Sequence, residues 1–272
     1  MENKINNPLL YITKENEKIT LKDIEKSLQK VGIKKGDIIF IHSDITSFGK
    51  IGNIKNKEAF LEAIINSFKN IVGKRGTIIM PTFTYSFTKN EIYDINKTPS
   101  TVGVLTEYFR KMPNVKRSTD AIFSVSVFGQ NKEYFTNTGL NCFGEDSIFE
   151  KLYNKNVKLI FFGDTFDMTY LHFIEQRFGV SYRFIKEFKG KSKINGELKE
   201  FIFKYNVRPL DKNITYDFDK ISDYLKEKGV LNEVILGNSK IKVVKAVDTF
   251  NTLKERLEKD NFFLLKENPN LN

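Results

Sequence analysis

His172 and Glu175 stand three residues apart in the stretch Asp167-Met168-Thr169-Tyr170-Leu171-His172-Phe173-Ile174-Glu175. On a helix that spacing puts both side chains on one face. An imidazole beside a carboxylate can take a proton from a nucleophile near neutral pH. The chain has only two histidines, so the pairing is worth following. By itself, a His-x-x-Glu pair is more often a packed helix feature, and Leu171, Phe173 and Ile174 offer the apolar neighbours for that. The acid–base reading needs a site built around it.

The elements before the pair supply a position for one. The run Val157 to Gly163 is short, rich in aromatic and β-branched residues, and closed by glycine. It reads as a buried strand. Asp164, Thr165 and Asp167 can each cap the helix that follows. A strand leading into a helix places the turn at the carboxyl end of a sheet, where open α/β proteins hold ligands.

The same alternation holds upstream. Thr20-Leu21-Lys22-Asp23 opens a first helix with Leu21, Ile24, Leu28 and Val31 on one stripe. Strands are predicted at Asp37–Ile41, Gly76–Pro81 and Ile122–Gly129, and a helix from about Lys57 to Val72. Ser100 is read as the cap of a helix carrying Val104, Leu105 and Phe109. After Gly179 the pattern turns to strands, with Tyr182–Phe188 and Glu197–Val207 joined through Asn195-Gly196, a hairpin turn signal. A helix (Asp219–Lys228), strands Asn232–Leu236 and Lys240–Val247, and a charged helix from Asp248 to about Lys259 complete the order. These elements predict an α/β protein, a three-layer α/β/α sandwich with a mostly parallel central sheet. A β-hairpin lobe at about 182–207 is added within a single domain over residues 1–272.

Composition bounds the partners. Lysine and arginine number 44 against 34 acidic residues, a net charge of +10. That favours anionic ligands, yet no basic block interleaved with aromatics marks a nucleic-acid surface. Phosphate-bearing small molecules are the expected class, and nucleic acid is not. Cys142 is alone, which excludes an internal disulfide and a cysteine metal cluster and fits a reducing cytosol. It reads as a small apolar filler. Met1–Asn7 carries no secretory pattern, and no run reaches the ~18 apolar residues of a membrane span. A cytoplasmic protein with no membrane partner is expected.

Loops 42–49, 117–124 and 163–169 hold most of the small polar residues at strand ends. Such loops suit phosphates and amide-rich ligands, although Ser, Thr and Asp also cap turns in any protein. Phosphate-loop, dinucleotide-loop and nucleophile-elbow patterns are absent, and the histidines and cysteine offer no zinc spacing. Gln176–Ser181 approaches the coenzyme A loop of the commonest acetyltransferase superfamily, but it follows no strand and lacks the final small residue.

Taken in order, the motifs resemble those of the aminoglycoside 3-N-acetyltransferases, also called antibiotic N-acetyltransferases. His42-Ser43-Asp44-Ile45-Thr46-Ser47-Phe48-Gly49 is similar to the family's H-S-S-L-S-S-x-G, and Met80-Pro81-Thr82-Phe83-Thr84 to its M-P-T-F-T. Asp94 through Thr98-Pro99-Ser100 to Gly103 matches D-x-x-x-T-P-S-x-x-G, followed by Leu105, Glu107 and Phe109-Arg110. Arg117-Ser118, Ser124, Glu145-Asp146-Ser147 and Thr169-x-x-His172-x-x-Glu175 continue the series. The resemblance runs from about Ile19 to Leu265.

The resemblance implies acetyl transfer from acetyl-CoA to an amine on a sugar ring, without a metal. His172 is then the base, with Glu175, or Asp167 at the helix start, orienting it. His42, Ser43, Asp44, Thr46, Ser47, Thr98, Ser100, Arg117, Ser118 and Ser124 fall where the family's coenzyme loops lie. Where the drug-modifying enzymes read R-S-x-H-P, this chain has Arg117-Ser118-Thr119-Asp120-Ala121, so Asp120 joins the catalytic candidates. Asp120 and the positive charge favour an anionic acceptor, a nucleotide-activated amino sugar of surface-glycan biosynthesis. The alternatives are a resistance enzyme acting on aminoglycosides and a non-catalytic CoA- or sugar-binding protein. The sequence does not set the oligomeric state.

Overall fold

The computed structural model describes residues 7–269; Met1–Asn7, read above as a non-secretory start, lies outside them except for Asn7. A seven-stranded sheet runs through the centre in the order 232–236, 239–245, 158–162, 38–43, 77–81, 125–129, 116–117. Side chains alternate across it as the pleat requires. Ile39, Ile41, Ile78, Met80, Ile160 and Phe162 pack to one side. Phe40, Ile79, Val127, Leu159 and Phe161 pack to the other. The helices Leu21–Lys30, Lys57–Val72 and Val104–Arg110 cover the first side. The helices Ile148–Asn154, Leu171–Phe178, Phe218–Glu227 and Ala246–Leu257 cover the second. Three layers result.

The sheet is mixed, not mostly parallel. Only the pairs of strand Ile38–Ser43 with Lys158–Phe162 and Thr77–Pro81 are parallel; the other four neighbour pairs are antiparallel. The cause is connection length. Arg117 and Val125 are joined by a loop too short for a crossover, and Gly237-Asn238 turns Asn232–Leu236 back as a hairpin. The parallel rule drawn from alternation fails where strands follow one another directly.

Local signals hold where the chemistry is short-range. Thr20 and Asp23 form a reciprocal capping box on the first helix. The hairpin runs Phe184–Ile194 and Glu197–Val207, with Asn195 and Gly196 both at positive φ. That pair of left-handed residues is what a two-residue turn of matching twist demands. The hairpin adds Tyr93–Asp94 as a third, parallel strand. A small sheet of Leu9–Ile12, Lys18–Thr20 and Lys50–Ile51, and the helix Lys132–Thr136, lie beyond the elements expected from sequence.

Two helix starts differ from expectation. Gly103 occupies the cap position of Val104–Arg110, while the Ser100 amide donates to Glu107 Oε2 at 2.8 Å. Tyr170 precedes Leu171–Phe178 without a side-chain cap. Residues 163–170 are used instead as a turn against the 44–47 loop. Gly163 sits at φ 108°, and a Cβ there would come within 2.1 Å of the Asp44 carbonyl oxygen. Only glycine permits that approach.

Candidate active site

His172 lies in the first turn of its helix and Glu175 one turn on, so the predicted pairing forms. His172 Nδ1 is 3.1 Å from Glu175 Oε2. Glu175 is fully buried, whereas 23% of the His172 side chain remains accessible. Two residues that carried no motif complete the cluster. Arg183, at the base of the hairpin, is ion-paired with Glu175 Oε2 at 2.6 Å. Tyr216, from the segment before Phe218–Glu227, donates its hydroxyl to the same oxygen at 2.6 Å and lies 2.9 Å from His172 Nδ1. Arg183 Nη2 in turn donates to the Tyr216 oxygen at 2.9 Å.

The proton count fixes the imidazole. The Tyr216 proton is directed to Glu175, so its oxygen can only accept from Nδ1–H. Nδ1 therefore carries the proton and Nε2 is left with a free lone pair. Burial lowers the His172 pKa below the ordinary 6.5, partly offset by the hydrogen bond to Glu175. The ring is neutral at pH 7. Burial would raise Glu175, but the bonds from His172 and Tyr216 and the Arg183 charge outweigh it and hold the carboxylate below its usual value. Burial and the Glu175 charge push the Tyr216 hydroxyl well up, so it stays a donor. The Phe143 ring packs against His172 with centroids 5.0 Å apart.

The exposed edge of His172 opens on a cleft of about 500 Å³ whose outer wall is the hairpin, through Phe184, Lys186, Phe188 and Tyr205. Arg208, Leu210, Ile214 and Tyr216 line the other side. A sugar-sized amine fits such a volume. A neutral imidazole held by a buried carboxylate at its mouth can accept a proton from that amine.

The coenzyme candidates separate into two groups. Asp44, Thr46 and Ser47 close the end of strand Ile38–Ser43: Asp44 Oδ1 accepts from the Thr46 amide and hydroxyl, and Ser47 Oγ accepts from the Asp164 amide. Thr46 and Ser47 border a second cleft of about 590 Å³ with Lys14, Lys50, Asp164 and Asn238. Its lysines, hydroxyls and amides suit a phosphate-bearing chain. Ser43 ends the strand, and His42 stacks on Phe161 with centroids 5.4 Å apart. Burial lowers the His42 pKa to about 4.

The second group forms a buried frame rather than a binding surface. Arg117 is 7% exposed and donates to the carbonyls of Thr98 (2.5 Å) and Thr82 (2.6 Å). Ser124 Oγ donates to the Thr82 carbonyl, and Ser118 Oγ accepts from the Val125 amide. Thr98 Oγ1 accepts from the Asp94 amide, and Ser100 Oγ contacts Thr106 Oγ1. The expectation that Arg117 holds the coenzyme pyrophosphate is therefore corrected: its guanidinium is committed to main-chain carbonyls. Ser118 and Ser124 are fully buried.

Asp120 and Asp167 are placed away from the catalytic role expected of them. Asp120 Oδ1 accepts from the Ile122 and Phe123 amides at 2.8 and 2.9 Å. Burial raises its pKa, and its side-chain neighbour is the Cys142 thiol, not His172. It shapes the turn before Val125–Gly129. Asp167 is exposed and borders a small hollow with Asp164, Phe218, Lys240 and Lys242. Of the two carboxylates that could orient His172, the structure uses Glu175. Sequence reasoning misses Arg183 and Tyr216 because both follow Gly179, where no local pattern marks a ligand residue. Among the described residues no group of three or more His, Cys, Asp or Glu is arranged to hold a metal, and no helix is long and apolar enough to cross a membrane.

An α/β/α sandwich with a carboxylate-held histidine at the mouth of a cleft defines a general-base transferase or hydrolase type of site. Comparison with known proteins narrows it. The model of the aminoglycoside 3-N-acetyltransferase family matches residues 40–258, and the chain belongs to that family. A curated relative, the SPbeta prophage-derived aminoglycoside N(3')-acetyltransferase-like protein YokD of Bacillus subtilis (strain 168), is 28% identical over 183 residues. That match covers 58% of this chain and 65% of the relative's length, just under two thirds. Among solved structures, AAC-IIIb in binary complex with CoASH aligns with a TM-score of 0.77 at 20% identity, covering 92% of this chain and 99% of the other. The crystal structure of YokD from Bacillus subtilis aligns at 0.73 with 22% identity, covering 89% and 100%. AAC(3)-IVa aligns at 0.73 with 20% identity, covering 92% of each. These likenesses establish the fold.

Proposed function

We propose that this protein is an acetyl-CoA-dependent N-acetyltransferase of the aminoglycoside 3-N type, acetylating an amine on an amino-sugar ring with His172 as general base. The observation that carries it is the His172–Glu175–Tyr216–Arg183 cluster, which leaves Nε2 bare at the cleft. Family membership supports acetyl-CoA as donor, and the relative solved with CoASH supports it further. Relatives solved with a gentamicin and with apramycin put an aminoglycoside-type acceptor ahead of the nucleotide-activated glycan precursor expected from charge. Use of acetyl-CoA would place the protein in the cytoplasm.

In this mechanism the amine lone pair attacks the thioester carbonyl as its proton passes to His172 Nε2. Glu175 stabilises the imidazolium that forms, and Tyr216 and Arg183 keep that carboxylate ionised and aligned. Collapse of the tetrahedral intermediate breaks the C–S bond; the thiolate takes a proton and leaves as CoASH, with the amide as product. Positioned acid–base catalysis of this kind contributes ~10²–10⁴-fold. The cleft bordered by Thr46, Ser47 and Lys14 is the donor's assigned place. The experiment is thiol release from acetyl-CoA against a panel of amino sugars that includes gentamicin and apramycin. Amine-dependent release supports the reading; release no faster than hydrolysis with every amine would contradict it.

A further inference from the structure

The cleft in front of His172 is lined by three cationic side chains, Arg183, Lys186 and Arg208, and by no aspartate or glutamate. Arg183 is spent on Glu175 and Tyr216. Lys186 and Arg208 are not spent in that way. The Lys186 ammonium lies 5.3 Å from the Phe188 ring centroid, and Arg208 Nη1 makes one long 3.4 Å contact to the Ile214 carbonyl. Both side chains are exposed, and among the described residues neither has a carboxylate within ion-pair distance.

The position of Lys186 breaks the logic of its strand. Cross-strand register pairs Phe184 with Val207, Lys186 with Tyr205 and Phe188 with Phe203, so these six side chains share one face of the hairpin. That face turns inward and is otherwise aromatic or aliphatic. Solubility is already served by the opposite face, where Glu187 pairs with Lys204, and Lys189 and Lys191 with Glu200. A lysine on the inward face serves no such purpose, and it stands over the cleft floor with Arg208.

We infer that Lys186 and Arg208 bind a phosphate carried by the acceptor, so that the preferred acceptor is a phosphate-bearing amino sugar rather than an unmodified polycationic aminoglycoside. The inference rests on the acetyl-transfer reading and refines its acceptor. Two unpaired cations beside the reacting amine repel a ligand with several ammonium groups and attract one with a phosphate. They also orient it: with the phosphate held at the rim, the amine is directed inward to His172. The other phosphate source within reach is coenzyme A itself, and the test separates the two.

The test is calorimetric titration of the CoA-saturated protein with glucosamine, glucosamine 6-phosphate and UDP-glucosamine, for wild type and for the double variant Lys186→Gln/Arg208→Gln. Both sites are exposed, and an unchanged melting temperature checks that the variant is folded. The wild type is expected to bind at least one phosphorylated sugar tenfold or more tighter than glucosamine, with the advantage shrinking as salt rises. In the variant the ratio of affinities falls to about one. Equal affinity for all three sugars in the wild type, or a ratio unchanged in the variant, would overturn the inference. So would a variant that loses affinity for CoA but not for dephospho-CoA, because the cations would then serve the donor. Phosphorylated sugars bound as expected with no thiol release from any amine would uphold the cation site and count against the acetyl-transfer function alone.

Discussion

The Tyr216 hydroxyl donates to Glu175 Oε2 at 2.6 Å and lies 2.9 Å from His172 Nδ1, joining two residues of one helix to a third that is 41 positions further along the chain. It is the contact that settles which imidazole nitrogen carries the proton. Tyr216→Phe keeps the ring, and its packing on His172 at 5.6 Å between centroids, while removing the hydroxyl. One hydrogen bond to a buried charge contributes ~1.5–3 kcal/mol. The variant is expected to lose about tenfold or more in kcat, with KM for acetyl-CoA little changed. Steady-state kinetics decide it, and a wild-type kcat would remove Tyr216 from the machinery.

The pH dependence has a definite sign. Neutral His172 is the active base and its pKa lies below 6.5, chiefly through burial. Activity should therefore be full at pH 7 and fall on the acid side only below the ordinary histidine range. Glu175 raises the His172 pKa. Glu175→Gln should move the acid limb to lower pH while lowering the plateau, since a weaker base takes the proton. An acid limb above 6.5 in the wild type would contradict the assignment.

Arg183 separates stability from catalysis. Arg183→Met leaves the Glu175 carboxylate buried without its ion pair, and breaking such a pair costs about 3–5 kcal/mol. The double variant Arg183→Met/Glu175→Gln removes both charges and should recover much of that loss in denaturant unfolding. Turnover should not recover, because the imidazolium would have no carboxylate. Recovery of both would show that the pair serves packing only.

His42 predicts a stability change away from the base. Its pKa is lowered to about 4 by burial, so the unfolded chain binds the proton more readily than the folded one. Stability from this residue is complete above pH 6.5 and is lost as pH falls toward 4. Thermal melts of His42→Phe should show a smaller loss between those pH values than the wild type. An identical slope would mean that the ring is solvated.

How much is legible in the sequence depends on the range of the interaction. The His172–Glu175 pair, the Thr20–Asp23 box and the Asn195-Gly196 turn are local and form as their spacing predicts, because spacing and φ preference act within a few residues. The sheet's mixed direction depends on which strands become neighbours, which alternation does not specify. Arg117, Ser118, Ser124 and Thr98 read as ligand residues because small polar groups in loops serve frames and ligands equally well; only burial separates the two. Arg183 and Tyr216 act at sequence distances of 8 and 41 residues from Glu175, through tertiary contacts that leave no periodic trace.

The central claim is that His172 takes the amine proton. The most direct measurement compares kcat for thiol release in His172→Ala and wild type at saturating acetyl-CoA, using the acceptor the wild type turns over best, with CoA affinity measured alongside. The account predicts a loss of ~10²–10⁴-fold in kcat at unchanged CoA affinity. A wild-type kcat in the variant would contradict it.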